Sequence, residues 1–210
     1  MSSDCTGVIL AGGGATRYGG KPKGLECLNG ERIIDRVARV LSLASDNLLL
    51  ISNDPAACGW LPGVRTEPDV RTGLGSLGGI YSALVLSGSP VMLVAWDMPF
   101  VPAALLKRLR LLGAGMDVAV AESGSRRGLE PLCAYYTPAC IPAIERRLDS
   151  ADLRVVGFYE DVRVARLSAA EVAQFGGAER LFMNVNTPAD LILAERYAST
   201  TDGDNYRQEE

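Results

Sequence analysis

The chain has 210 residues, 48% of them apolar and 22% charged, with a formal charge of −4 and a pI near 5.0. That length buries a full core and predicts one domain over residues 1–198, followed by a polar, acidic tail, 199–210, expected to be disordered. The acidic balance excludes duplex nucleic acid as the main partner, no apolar run reaches the roughly eighteen residues of a membrane span, and the absence of histidine excludes triads and metal centres built on imidazole.

Gly7–Leu10 reads as a short buried strand that breaks into a loop rich in glycine, Gly12 to Gly20, with Arg17, Lys21 and Lys23 in or just after it. Glycines let backbone approach a ligand closely, and successive N–H groups in such a loop can surround an anion. Ile33, Ile34, Val37, Val40 and Leu41 then recur at helical spacing with arginines between them, which predicts an amphipathic helix on a sheet. Leu48–Ile51 reads as a second strand, closed by the polar loop Ser52-Asn53-Asp54-Pro55.

Val64 begins a third short element before Glu67-Pro68-Asp69, and a second glycine-rich stretch, Gly73 to Gly79, leads into a helix expected to run through Leu86. Val91–Ala95 is the most apolar strand and stops at Trp96-Asp97-Met98-Pro99. Pro102 opens the next helix, to about Leu112, and Asp117–Ala121 is another strand. Beyond Ser125 the pattern loosens: a strand at Leu132–Tyr136, a helix at Pro138–Leu148, a strand at Val162–Leu167, and a capping box at Ser168 and Glu171 opening a short helix. Leu181–Val185 reads as a last strand, and Thr187-Pro188 starts a terminal helix reaching about Tyr197.

Strands alternating with helices at this pace predict an α/β three-layer, Rossmann-like sandwich with a mainly parallel central sheet. Ligands bind such sheets outside the carboxyl ends of the strands. The glycine loop, Ser52-Asn53 and Asp97 all fall at strand ends of that kind. The five cysteines, Cys5, Cys27, Cys58, Cys133 and Cys140, are odd in number and form no C-x-x-C pair, so they read as reduced thiols of a cytoplasmic protein.

The first loop does not fit the common phosphate loops. Aligned on Gly20-Lys21, the P-loop pattern finds Ala15 at its first glycine and Pro22 where the magnesium-binding hydroxyl belongs. The dinucleotide fingerprint finds Gly12 and Gly14 but meets Arg17 at its third glycine. What remains, Leu10-Ala11-Gly12-Gly13, Arg17, Gly19-Gly20 and Lys23, resembles the signature loop of nucleotidyltransferases that activate sugars and cofactors with a nucleoside triphosphate. Three later segments narrow the resemblance to the molybdenum cofactor guanylyltransferase family. Gly75-Ser76-Leu77-Gly78-Gly79 is similar to its G-P-L-A-G motif, Trp96-Asp97-Met98-Pro99-Phe100-Val101-Pro102 to its C-D-x-P-x-x-P, and Asn184-Val185-Asn186-Thr187-Pro188 to its N-V-N-T-P. The motifs come in the family's order and span residues 7 to about 197.

The resemblance implies transfer of GMP from GTP to the phosphate of molybdopterin or its metal-loaded form, with Mg²⁺ as cofactor and pyrophosphate as leaving group. It also implies molybdoenzymes or their chaperones as recipients of the product. Arg17 and Lys23 are expected on the triphosphate, with Leu10, Ala11, Gly12, Gly13 and Gly14 in the nucleotide loop and Lys21 a solvated neighbour. Asp97 is expected to hold the metal, with helix capping as its ordinary alternative. Asn53 and Asp69 match positions near base and ribose, or are turn residues. Asn184 and Asn186, alternating on the expected strand, suit an acceptor or metal contact, with an ordinary helix entry as the alternative for Asn186, and Glu130 is assigned to the acceptor side. Pro22 stands where many members have Asp, and Ser76 and Gly78 replace the usual Pro and Ala. These departures keep open a cytidylyltransferase acting on molybdopterin, or a nucleotidyltransferase acting on a sugar phosphate. A binding protein without turnover is the reading from another class.

Overall fold

The computed structural model describes residues 4–12, 23–123 and 128–205, without the side chains of 200–205. Gly13, Gly14, Arg17, Lys21 and Pro22 lie outside the described residues. A seven-stranded sheet forms the middle layer, in the order β5-β4-β1-β6-β8-β7-β9. Its strands are β1 (Thr6–Leu10), β4 (Asn47–Ile51), β5 (Arg65–Glu67), β6 (Val91–Ala95), β7 (Val118–Glu122), β8 (Leu129–Tyr136) and β9 (Val164–Leu167). All neighbouring pairs are parallel except those made by β8, which runs antiparallel to both β6 and β7.

Alternating residues along each strand feed two cores. Ile9, Leu50, Met92 and Val94 face the layer holding α1 (Ile33–Ser42), α3 (Ala103–Leu112) and α5 (Ala169–Val172). Val8, Leu10, Leu49, Ile51 and Leu93 face α2 (Gly75–Ser87) and α4 (Ile141–Asp149). This is the expected three-layer sandwich. On α1 the buried stripe is Ile33, Ile34, Val37 and Leu41. Arg32, just before the helix, pairs with Asp35, and Arg36 and Arg39 on it pair with Glu31. Gly79 of α2 lies so close to β1 that a Cβ there would sit 2.4 Å from Cδ1 of Leu10. A side chain at that position would have to push the end of Leu10 aside, so glycine lets the helix approach the strand end closely.

Two differences from the sequence reading matter. Leu181–Val185 is not a strand: α6 (Ala178–Leu181) occupies its start, and the chain then runs outside helix and sheet to Thr187. The apolar residues there are buried because Leu181 and Phe182 enter the α1/α3 core while Val185 enters a separate small cluster with Leu28 and Ile33. Strand β8 begins at Leu129 rather than Leu132, across a register shift opposite Val120 and Glu122. Pro131 is tolerated beside such an irregularity and hides the strand from a pattern search.

A two-stranded hairpin, β2 (Cys27–Leu28) with β3 (Glu31–Arg32), stands apart from the main sheet. Its Asn29-Gly30 turn has φ of 50° and 81°, the geometry those residues favour. The terminal helix α7 (Pro188–Asn205) extends past Tyr197 and overlaps the start of the expected tail. Residues 206–210 lie outside the described ones.

Candidate active site

The carboxyl ends of β1, β4, β5 and β6 open into one cleft of about 790 Å³. Leu10, Gly12, Lys23, Asn53, Asp69, Asp97, Glu130, Asn184 and Asn186 all line it. The structure therefore brings together residues drawn from segments up to 176 positions apart in sequence, from Leu10 to Asn186. Ala11 is buried directly beneath, its N–H donating to the Ile51 carbonyl.

At the centre is Asp97, in the turn that ends β6. Lys23 Nζ donates to Asp97 Oδ2 at 2.6 Å and to Asn186 Oδ1 at 2.5 Å. Lys23 and Asp97 side chains are only 14% and 9% exposed, so this ion pair is shielded from solvent. The capping alternative for Asp97 does not hold: α3 begins after Pro102 without a side-chain cap, and Asp97 is committed to Lys23. A similar test separates Asn186 from its helix-start alternative. Thr187 and Asp190 cap α7 reciprocally, Asp190 Oδ2 accepting from the Thr187 N–H and Thr187 Oγ1 from the Asp190 N–H. The Asn186 side chain is thus left to face Lys23. Asn184 shares the cleft, but not by strand alternation, and its amide donates back to the Phe182 carbonyl. The segment is anchored by the Val185 N–H, which donates to the Asp97 carbonyl at 2.9 Å.

On the other side of the cleft Asn53 and Asp69 tie the ends of β4 and β5 together. Asn53 Nδ2 donates to Asp69 Oδ2 at 2.6 Å, and the Asp69 N–H donates to Asn53 Oδ1 at 2.9 Å. The local turn is made by Asp54 instead, whose Oδ1 accepts from the Ala56 N–H. Asp69 Oδ1 is buried and has no hydrogen-bond partner among the described residues. Glu130 reaches the same cleft from β8, whose antiparallel direction brings its beginning to this end of the sheet.

Other groups line the cleft that the sequence reading gave no role, although Gly73, Gly75, Ser76 and Trp96 lie in motifs it quoted. Gly73, Gly75 and Ser76 place the start of α2 on the cleft, with no side-chain cap on its first turn. The positive end of a helix dipole and its free N–H groups attract anions there. Trp96, Leu132 and Phe182 provide apolar wall. The signal available for α2 was its position directly after a glycine-rich stretch; none marked Phe182.

A divalent metal fits the oxygen donors present. Asp97 Oδ2 and Asn186 Oδ1 already converge on one cation, the Lys23 ammonium. Among the described residues no three His, Cys, Asp or Glu side chains cluster into a full metal cage. Magnesium commonly takes one or two carboxylates and completes its shell with water and substrate phosphate, which suits such a sparse donor set.

Known proteins agree with this geometry. The family model described as the MobA-like NTP transferase domain matches residues 7–164. A protein of Pelotomaculum thermopropionicum named probable molybdenum cofactor guanylyltransferase is 38% identical over 93% of this chain and 94% of its own length. A molybdenum cofactor guanylyltransferase of Desulfosudis oleivorans is 34% identical over 90% and 94%. The crystal structure of molybdopterin-guanine dinucleotide biosynthesis protein A from Archaeoglobus fulgidus superposes with a TM-score of 0.77 at 26% identity, covering 93% of this chain and 99% of that one. With the cleft at the strand ends and these likenesses spanning most of its length, the chain belongs to the MobA-like NTP transferase domain family.

Proposed function

We propose that the protein transfers GMP from GTP to the phosphate of molybdopterin, bare or metal-loaded, forming the guanine dinucleotide cofactor and releasing pyrophosphate. The observation that carries the reading is the Lys23 ammonium held between Asp97 and Asn186 at the carboxyl end of the sheet. The names of the most similar relatives support the choice of base and acceptor.

In the reaction an oxygen of the acceptor phosphate attacks the α-phosphorus of GTP, and the bond from that phosphorus to the β-phosphate bridge oxygen breaks. A phosphate monoester, with a second pKa of about 6, is largely dianionic at neutral pH and needs no general base. A chain without histidine can therefore carry the step. The barrier lies in bringing two polyanions together and in charge gathering on the departing pyrophosphate. Lys23 supplies a cation for the triphosphate, Arg17 a second, and the Leu10–Gly14 loop and the first N–H groups of α2 supply dipoles. Asp97, with the Asn186 amide oxygen beside it, would hold Mg²⁺. When bound, that ion neutralises phosphate charge and stabilises the leaving group. Asn53 and Asp69 serve the base and ribose, and Glu130, Asn184 and Asn186 the acceptor.

Incubation with Mg²⁺, each nucleoside triphosphate in turn and a molybdopterin source, followed by product identification, tests the reading. A guanine dinucleotide product is expected. A cytosine dinucleotide product, or turnover only with a sugar phosphate, overturns it. We further place the enzyme in the cytoplasm, feeding molybdoenzymes that carry a dinucleotide cofactor. All five cysteines are free, consistent with a reducing compartment. Recovery of the native protein in a membrane or periplasmic fraction would contradict this.

A further inference from the structure

The turn that carries Lys23 rests on an aromatic platform. Lys23–Leu25 forms one 3-10 turn, and its middle residue, Gly24, is buried against the ring of Trp96. A Cβ at Gly24 would lie 2.3 Å from Cε3 and 2.6 Å from Cδ2 of the indole, closer than any carbon contact allows. The backbone therefore sits directly on the ring, and glycine is the residue that permits it. Trp96 is 3% exposed and stacked on Trp60, with ring centroids 5.2 Å apart and planes at 16°. Its own backbone N–H donates to the Leu10 carbonyl, which ties the platform to the end of β1.

The position of the Lys23 ammonium thus follows from a short mechanical chain: β1 and the Trp60 ring hold Trp96, the Trp96 ring holds Gly24, and Gly24 aims Lys23. The indole N–H is buried without a partner among the described residues, and it is the face of the ring that the turn rests on. We infer that Trp96 is a positioning residue for Lys23, and that its face sets where the ammonium meets the triphosphate. The inference rests on the reading of Lys23 as a triphosphate ligand. It concerns binding and orientation only; Trp96 takes no part in bond making.

The test is a double-mutant cycle on the full chain with Mg²⁺, GTP and a molybdopterin source, reading kcat/KM for GTP from pyrophosphate release. Trp96→Phe keeps a flat ring and should stay within about threefold of the native enzyme. Trp96→Leu keeps apolar volume without the platform and should lose about thirtyfold, the scale of a sub-ångström misplacement. In a Lys23→Ala background, Trp96→Leu should cost nothing more, because residues acting through one another are not additive. An equal proportional loss in both backgrounds would overturn the inference, as would a lowered Tm with unchanged kcat/KM. Should Trp96→Leu fail to fold, Gly24→Ala, whose methyl would lift the turn off the ring, runs the same cycle with the same expected non-additivity. Native kcat/KM in Lys23→Ala alone would instead sink the underlying assignment of Lys23, a result distinct from additivity.

Discussion

Both ends of the central sheet hold paired carboxylates, and the partners of those carboxylates differ in kind. At the amino ends of the strands, Asp46 Oδ2 accepts from the Cys5 N–H and from Arg110, and Arg110 also donates to the Ala44 carbonyl. Asp117 accepts from the Arg163 N–H and, through both oxygens, from the Arg163 guanidinium. Each pair joins neighbouring strands or helix to strand through backbone donors that no ligand can replace. At the carboxyl ends, Asp97 is met by a lysine on a short turn and an amide oxygen shares that lysine, while Asp69 keeps one oxygen unpaired among the described residues. Those partners are side-chain groups, which under the proposed function give way to phosphate, metal or ribose. Volume does not separate the two ends, since a hollow of about 840 Å³ lined by Asp46, Arg110 and Tyr135 is as large as the 790 Å³ cleft. The distinction is whether the polar groups are consumed by the fold.

That comparison is open to attack by substitution at each end. Asp97→Asn keeps an oxygen for Lys23 but removes the charge a metal needs, so kcat should fall about a thousandfold while the far-ultraviolet circular dichroism stays native. A variant that retains turnover would place the metal elsewhere. Lys23→Ala should cost about a hundredfold in kcat/KM and weaken GTP binding in calorimetry. Unfolding of that variant, rather than impaired binding, would make the Lys23–Asp97 pair structural like those at the other end. Asn186→Ala should lose about tenfold, because it frees Lys23 from one of its two acceptors. Asn184→Ala should lose less, since the Asn184 amide already serves the Phe182 carbonyl. The reverse ranking would shift acceptor recognition onto Asn184.

Much of this was legible in the residues, for physical reasons that differ by region. The parallel strands β1, β4 and β6 are continuous apolar runs because both faces are covered, and such runs stand out. Their ends are marked by Gly12, Asn53 and Asp97, so the site followed from the strands. Strand β8 was shortened in the reading because Pro131 interrupts it, and no local feature announces that it runs antiparallel. The hairpin at Asn29-Gly30 carried the strongest short-range turn signal in the chain and was passed over, its strands being only two residues each. The segment Leu181–Val185 misled because its apolar residues serve two clusters in turn, Leu181 and Phe182 the α1/α3 core and Val185 the small cluster beside Leu28. Asn184 and Asn186 nevertheless reach the cleft, since the Val185 N–H on the Asp97 carbonyl fixes the segment there. The platform of Trp96 beneath Gly24 depends on a contact across 72 positions, from 24 to 96, that no periodicity encodes.

The smallest effect is expected at the amino end, and it should appear in stability alone. Asp117 is 11% exposed on its side chain and Arg163 is 68% exposed, so solvent screens part of the pair. Asp117→Asn should lower stability by about 1–2 kcal/mol at neutral pH, a shift of a few degrees in Tm for a domain of this size, with kcat/KM unchanged. The guanidinium of Arg163, aided by the Arg163 N–H, holds the Asp117 carboxyl below its ordinary value of 3.8. A folded pKa below the unfolded one means the stabilisation is present above 3.8 and is lost as pH falls through the lower folded value. The native protein and Asp117→Asn should therefore differ most near neutrality and converge as the carboxyl protonates in acid. Urea midpoints taken from pH 7 down into that range measure the convergence. A gap that stays constant with pH would mean that the charge of the carboxylate contributes nothing to it, and no gap at any pH would leave Asp117 acting only through its backbone carbonyl, which accepts from the Thr137 N–H and from Cys140 Sγ.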